Sequence, residues 1–135
     1  MSLGSILLIE DERINAMAFQ KGLLRINAGN KLIIKETAEN ALNYLEGETK
    51  MPDIIMLDLN LPKMNGIDFL KIIKSNEKFK QIPVIVLTTS VNPKDKIDCF
   101  NLQVAGYFIK PIDYFELIKS IFNYWTNSEF ATAAN

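Results

Sequence analysis

Asp53-Ile54-Ile55-Met56-Leu57-Asp58-Leu59-Asn60-Leu61-Pro62-Lys63-Met64-Asn65-Gly66 is the stretch on which the reading of the fold turns. Four consecutive apolar residues, Ile54 to Leu57, suit a strand buried on both faces, as in a parallel sheet covered by helices on each side. Asp58 then puts a charge where the strand leaves the core. An unpaired buried carboxylate is costly, and strand carboxyl ends are where open α/β sheets bind their ligands. Pro62, Asn65 and Gly66 mark a loop, and helical spacing resumes at Ile67. Asp58 is therefore the first candidate for a working residue.

The same pattern extends in both directions. Ile6-Leu7-Leu8-Ile9 is a second buried-strand run ending in carboxylates, Glu10 and Asp11. The spacing of Ile14, Met17, Ala18 and Leu24 predicts a helix from Glu12 to about Ile26, broken by Gly29 and Asn30. A short strand is expected over 31–35, and a helix over 38–46 closed by Gly47. After the central strand come a helix over 66–74, a polar connector at 77–81, and a fourth strand over 83–87 ending in Thr88-Thr89-Ser90. Pro93 suits the first turn of a helix reaching about Leu102. Ala105 to Ile109 reads as a fifth strand ending in Lys110-Pro111, and Asp113 with Glu116 as the capping box of a last helix to about Trp125. Residues 127–135 read as a flexible tail, leaving one domain over 1–135 with its core at about 5–126. Five strands alternating with five helices imply an α/β three-layer sandwich with a parallel sheet and right-handed crossovers. The expected order is 2-1-3-4-5, which sets strands one and three side by side where the winding reverses.

Bulk properties exclude several classes. At 135 residues and 48% hydrophobic, the chain supports a full core without disulfide or metal staples. A net charge of -1 gives no global attraction to nucleic acid or anionic lipid. A single cysteine, Cys99, cannot pair internally, which fits a reducing, cytoplasmic setting. No apolar run approaches the roughly 18 residues of a membrane span. The chain has no histidine, which removes His-based triads, imidazole bases and His metal sites.

In the expected topology Glu10, Asp11 and Asp58 converge in one crevice, joined by Thr88 and Lys110 from strands four and five. Three close carboxylates repel one another unless a cation lies among them. Oxygen donors in an open site suit Mg2+. Lys110 adds an ammonium and Thr88 a hydroxyl. Such a set suits phosphoryl transfer, which is mostly positioning and charge neutralisation, with Asp as an accepted nucleophile. Plainer roles also exist for single residues: Asp11 as a helix cap, Lys110 as a surface lysine, Tyr107 as a half-buried strand aromatic and Thr88 as an ordinary strand end.

With these residues in place the chain resembles the receiver domains of bacterial two-component response regulators, the chemotaxis-regulator family. The resemblance covers Ser5 to Trp125. It rests on Glu10-Asp11, on Asp58 within Asp-Leu-Asn-Leu-Pro-Lys-Met-Asn-Gly, on Thr88 and on Lys110-Pro111. The family's flavodoxin-like strand order is the one expected above, so the two are a single expectation. The resemblance implies that Asp58 accepts a phosphoryl group from a sensor histidine kinase or phosphotransfer protein. It implies that Asp11 and Asp58 bind Mg2+ directly, Asn60 through its backbone carbonyl and Glu10 through water. Lys110 and Thr88 would hold the phosphoryl oxygens, the Lys110-Pro111 peptide would be cis, and Thr88 and Tyr107 would form the switch. Self-phosphorylation and dephosphorylation are implied, without turnover of a separate substrate. Leu59-Asn60-Leu61-Pro62, Leu87-Thr88-Thr89-Ser90 and Asn123-Tyr124-Trp125 further resemble stand-alone regulators that accompany phytochrome-like kinases.

Rival readings meet specific obstacles. An aspartyl-phosphate phosphatase usually carries Asp-x-Asp on its first strand, whereas here Asn60 follows Asp58 on the third. A flavodoxin-like FMN carrier needs a hydroxyl-rich phosphate loop, and Glu10-Asp11-Glu12 would repel phosphate. An EF-hand loop from Asp58 puts Lys63 at its glycine and Phe69 at its terminal glutamate. The remaining alternative is a degenerate receiver that only binds partners. No effector domain follows Trp125 in the sequence; if the sequence is the full protein, the expected output is a protein contact, or a phosphate relay or sink. The last helix carries two apolar stripes. Leu117, Ile121 and Tyr124 are assigned to the sheet. Phe115, Ile118, Phe122 and Trp125 are left for a homodimer face formed with the fourth helix and fifth strand.

Overall fold

The computed structural model describes residues 4–26 and 29–126. Five parallel strands, β1 (Ser5–Ile9), β2 (Lys31–Lys35), β3 (Ile54–Leu57), β4 (Val84–Thr88) and β5 (Gly106–Ile109), lie in the order β2-β1-β3-β4-β5. Five helices alternate with them: α1 (Arg13–Ile26), α2 (Ala38–Gly47), α3 (Gly66–Ser75), α4 (Pro93–Asn101) and α5 (Tyr114–Thr126). The flavodoxin-like architecture and its strand order are those expected from the sequence. Element ends differ by a residue or two, the usual fraying of boundaries.

The continuous apolar runs are explained by two cores, one on each face of the sheet. Side chains alternate along a strand. Leu7, Ile9, Ile55, Leu57, Val84 and Val86 therefore meet Ala41 and Leu45 of α2, Phe69 and Ile73 of α3, and Cys99 of α4. Their neighbours Ile6, Leu8, Ile54, Met56, Ile85 and Leu87 meet Ala16, Phe19 and Leu23 of α1, and Leu117 and Ile118 of α5. Burial pushes the Cys99 thiol up to about 11, reinforced by Asp95 and Asp98, so this cysteine behaves as a small core hydrophobe. Among the described residues no helix is long and apolar enough to cross a membrane.

In two helices the tertiary packing decides which face is buried. In α1 the spacing of Ile14, Met17, Ala18 and Leu24 marked the helix without fixing which face it buries. Ile14, Met17 and Leu24 are 81%, 46% and 71% exposed, and Ala16, Phe19, Gly22 and Leu23 are buried. The reason is the close approach of α5. A Cβ on Gly22 would lie 3.2 Å from both Ile118 Cδ1 and the Phe115 backbone nitrogen. The small residues Ala16 and Gly22 therefore select which of the helix's apolar faces can dock. In α5, Ile118 was expected on a free interface stripe but is 1% exposed, as buried as Leu117 at 3%. The helix lies in the groove between the sheet and α1, so it is enclosed over a wider arc than a helix resting on a sheet alone. Phe122 is half-buried against the same core, and Phe115 sits under the Arg25 guanidinium at 3.8 Å. The side chains of Tyr124 and Trp125, and all of 127–135, lie outside the described residues.

Candidate functional site

Sheet register brings the acidic residues together. Ile6 to Ile9 of β1 pair with Ile54 to Leu57 of β3, so Glu10 and Asp58 leave the sheet side by side. The Asp58 amide closes the last rung by donating to the Ile9 carbonyl at 3.2 Å. On the other flank Thr88 pairs with Ile109, and the Lys110 amide donates to the Thr88 carbonyl at 2.8 Å. All five expected residues, Glu10, Asp11, Asp58, Thr88 and Lys110, thus stand at one end of the sheet, at the reversal of winding.

Four of these polar residues are buried. Glu10, Asp58, Thr88 and Lys110 are 4%, 5%, 0% and 8% exposed, while Asp11 is exposed. One carboxylate oxygen from each of Glu10, Asp11 and Asp58 lies within 4.8 Å of the others. That spacing, with a donor set made only of hard oxygens, fits a small divalent cation such as Mg2+. Lys110 Nζ donates to Glu10 Oε1 at 2.5 Å and to Asp58 Oδ2 at 3.3 Å. Burial works to lower the Lys110 pKa, but the hydrogen bond to Glu10 and the charges of Asp58 and Glu10 outweigh it, holding the ammonium above its ordinary value. Burial pushes the Glu10 carboxyl up, and the Lys110 hydrogen bond and Glu12 amide only partly offset this.

The loop after β3 is anchored at both ends. The Asn60 amide donates to Asp58 Oδ1 at 3.0 Å, orienting the carboxylate. Gly66 donates from its backbone to the Leu59 carbonyl at 2.9 Å, and Asn65 caps α3 by accepting the Asp68 amide at 2.9 Å. The Asn60 side chain spans the crevice to Thr89 Oγ1 at 2.8 Å and Thr88 Oγ1 at 3.4 Å. Thr88 Oγ1 also accepts the Ser90 amide at 3.2 Å. The half-buried Tyr107 directs its hydroxyl to the Ser90 carbonyl at 3.4 Å, with its ring 6.4 Å from that of Phe100. The Lys110-Pro111 peptide is cis. Asp113 caps α5, accepting the Glu116 amide at 3.1 Å, and the Glu116 carboxylate faces Lys119 at 3.6 Å.

Three participants were not singled out by sequence. Glu12 matters through its backbone, which donates to Glu10 Oε2 at 3.1 Å. Thr89 receives the Asn60 amide group. Burial pushes the Tyr114 phenol up while Lys110 draws it down, which places this ring, edge-on to Phe19 at 6.1 Å, within electrostatic reach of the crevice. A backbone donor has no sequence signal. Thr89 and Tyr114 sit beside the residues that were identified, at Thr88 and after Lys110-Pro111.

The doubly wound sheet carries an acidic triad, a lysine and a threonine at its switch point, where open α/β sheets bind their ligands. Residues 6–122 match the response regulator receiver domain, and the chain belongs to that family. It is 36% identical over 137 residues to the response regulator Rcp1 of Synechocystis sp., covering 96% of this chain and 93% of Rcp1. It is 34% identical over 127 residues to the probable methanogenesis regulatory protein FilR2 of Methanothrix harundinacea, covering 89% of this chain and 82% of FilR2. The phosphorylated cyanobacterial phytochrome response regulator RcpA superposes with a TM-score of 0.83 at 33% identity, over 91% of this chain and 94% of RcpA. The Mn2+-bound form of Rcp1 superposes with a TM-score of 0.82 at 35% identity and the same coverage. Receiver domains interact with histidine kinases or phosphotransfer partners, so the broad expectation about partners holds.

Proposed function

We propose that this chain is a Mg2+-dependent phosphoacceptor that takes a phosphoryl group from a sensor histidine kinase onto Asp58, in the cytoplasm, and changes a protein-binding surface in response. The observation that carries the reading is the meeting of Asp58 with Glu10, Asp11 and Lys110 at one strand-end crevice. Asp11, Asp58 and the Asn60 carbonyl would hold the cation, with Glu10 acting through water. When bound, Mg2+ would supply charge neutralisation for a phosphoryl group. The chain's own part is to aim one Asp58 oxygen at phosphorus, the Asn60 amide holding Oδ1. The new O–P bond forms as the donor's P–N bond breaks, and the imidazole stays with the donor. Lys110 and Thr88 would receive the transferred oxygens. Incubation with acetyl phosphate and Mg2+ is expected to add the mass of one phosphoryl group at Asp58, and chelation of the metal to prevent it. Metal-independent labelling, or a label mapping elsewhere, contradicts the reading.

The switch would run through Thr88. Its hydroxyl is held by the Asn60 side chain and the Ser90 amide, and Ser90 in turn receives Tyr107. A phosphoryl group that attracted Thr88 would release these contacts and alter α4 and β5. That region carries exposed apolar side chains: Ile97, Phe100 and Ile109 are 58%, 49% and 44% exposed. A second copy of the chain is the proposed occupant, on α4 and β5 instead of the α5 stripe. Phe100→Asp combined with Ile97→Ser is expected to give a folded monomer in sedimentation, where the parent loaded with beryllofluoride sediments as a dimer. A loaded parent that stays monomeric at high concentration removes this part of the proposal.

A further inference from the structure

Both oxygens of Glu10 are committed inside the protein. Oε1 accepts from Lys110 Nζ at 2.5 Å, and Oε2 accepts the Glu12 amide at 3.1 Å. A lysine ammonium is a point charge on a flexible four-carbon stem, so the surrounding anions decide where it rests. Here two buried carboxylates share it, and Glu10 has the shorter contact: Asp58 Oδ2 accepts from the same ammonium at 3.3 Å. The Glu12 amide pins the far side of the Glu10 carboxylate, so the contact is made from a fixed position. Without that charge, the ammonium is left with Asp58 Oδ2, the oxygen proposed to attack phosphorus. A closer ion pair there would occupy the nucleophile.

Resting on the phosphoacceptor reading above, we propose that Glu10 is a positioning residue for Lys110, drawing the ammonium off Asp58 and holding it beside the phosphoryl position. This is a distinct duty from any contribution through the cation's water shell, and the two make different predictions. Glu10→Gln keeps the shape and an acceptor for Glu12 but removes the charge that attracts Lys110. In the metal-free parent, the 15N-labelled Lys110 ammonium is expected to give a resonance protected from solvent exchange, which Glu10→Gln broadens or shifts. At saturating Mg2+ the maximal labelling rate with acetyl phosphate is expected to fall about tenfold, the scale of one hydrogen bond between charged groups, while the half-saturating Mg2+ stays within about threefold. Glu10→Asp, one methylene shorter but still charged, is expected to recover part of the rate, and it stands in if the Gln variant fails to fold.

A rise of about tenfold or more in half-saturating Mg2+ with an unchanged maximal rate assigns Glu10 to the cation's shell and overturns the proposal. An unchanged Lys110 resonance in Glu10→Gln overturns it equally. If the parent takes no label at Asp58, the phosphoacceptor reading fails, yet the resonance still reports whether Glu10 holds Lys110.

Discussion

Asp58→Asn is expected to lose phosphorylation by at least about a thousandfold, the scale on which removal of an attacking group is felt. The asparagine retains an oxygen for the Asn60 amide, so the loop after β3 keeps its anchor. What disappears is the charge and nucleophilicity of one carboxylate. The fold should tolerate this. Glu10, Asp11 and Asp58 crowd three negative charges within 4.8 Å, and relief of that repulsion offsets the lost attraction to Lys110 at 3.3 Å. Lys110 keeps its nearer partner, Glu10. A thermal midpoint within about 5 °C of the parent is expected, equivalent to no more than about 1 kcal/mol. Intact-mass measurement with acetyl phosphate and Mg2+ reads the first outcome, and a thermal melt the second. An Asn variant labelled as readily as the parent would falsify the assignment of Asp58.

Gly66→Ala is the second substitution with a large expected effect, this time on stability. Gly66 opens α3 where the chain passes directly over the end of β3. A Cβ there would lie 2.6 Å from both the Asp58 carbonyl oxygen and Leu59 Cα, and 3.0 Å from Leu59 Cδ2. The first two are backbone atoms, which cannot swing aside as a flexible side chain does. Helix propensity by itself would favour alanine over glycine by about 1 kcal/mol. Overpacking against fixed atoms typically costs about 1–3 kcal/mol, and this contact belongs at the severe end. A net loss of about 2 kcal/mol is expected, a sizeable share of a typical 5–15 kcal/mol. Because the obstructing carbonyl belongs to Asp58, labelling should slow as well. Urea unfolding tests the balance: a variant as stable as the parent would mean that the loop relaxes freely and the close approach carries no cost.

The site was readable because its residues follow strand ends, and strand ends are marked by where apolar runs stop. Ile6–Ile9 stops at Glu10, Ile54–Leu57 at Asp58, and the strand after Gly106 at Lys110. Once the sheet order is known, parallel register places those ends in one crevice. The acidic cluster and the Thr88–Lys110 flank follow from the same logic. The direction of each hydrogen bond does not. The order of preference of Lys110 between Glu10 and Asp58 depends on differences of under an ångström. The Asn60 side chain reaches Thr89 across 29 positions of sequence.

Local pattern alone determined the elements, their alternation and the two-sided burial of the sheet, because buried parallel strands require unbroken apolar runs and each helix start or loop has its own capping or breaking residue. Tertiary structure decided which side of a helix faces inward when its sequence offers more than one apolar stripe. In α1 the competition between Ile14-Met17-Leu24 and Ala16-Phe19-Leu23 is settled by Gly22, whose missing side chain lets α5 approach to contact distance. In α5 that same approach covers Ile118, which a helix resting on the sheet alone would have left to solvent. Periodicity records how many apolar faces a helix has. Which one is buried depends on the shape of a neighbour about a hundred residues away, and no local window contains that neighbour.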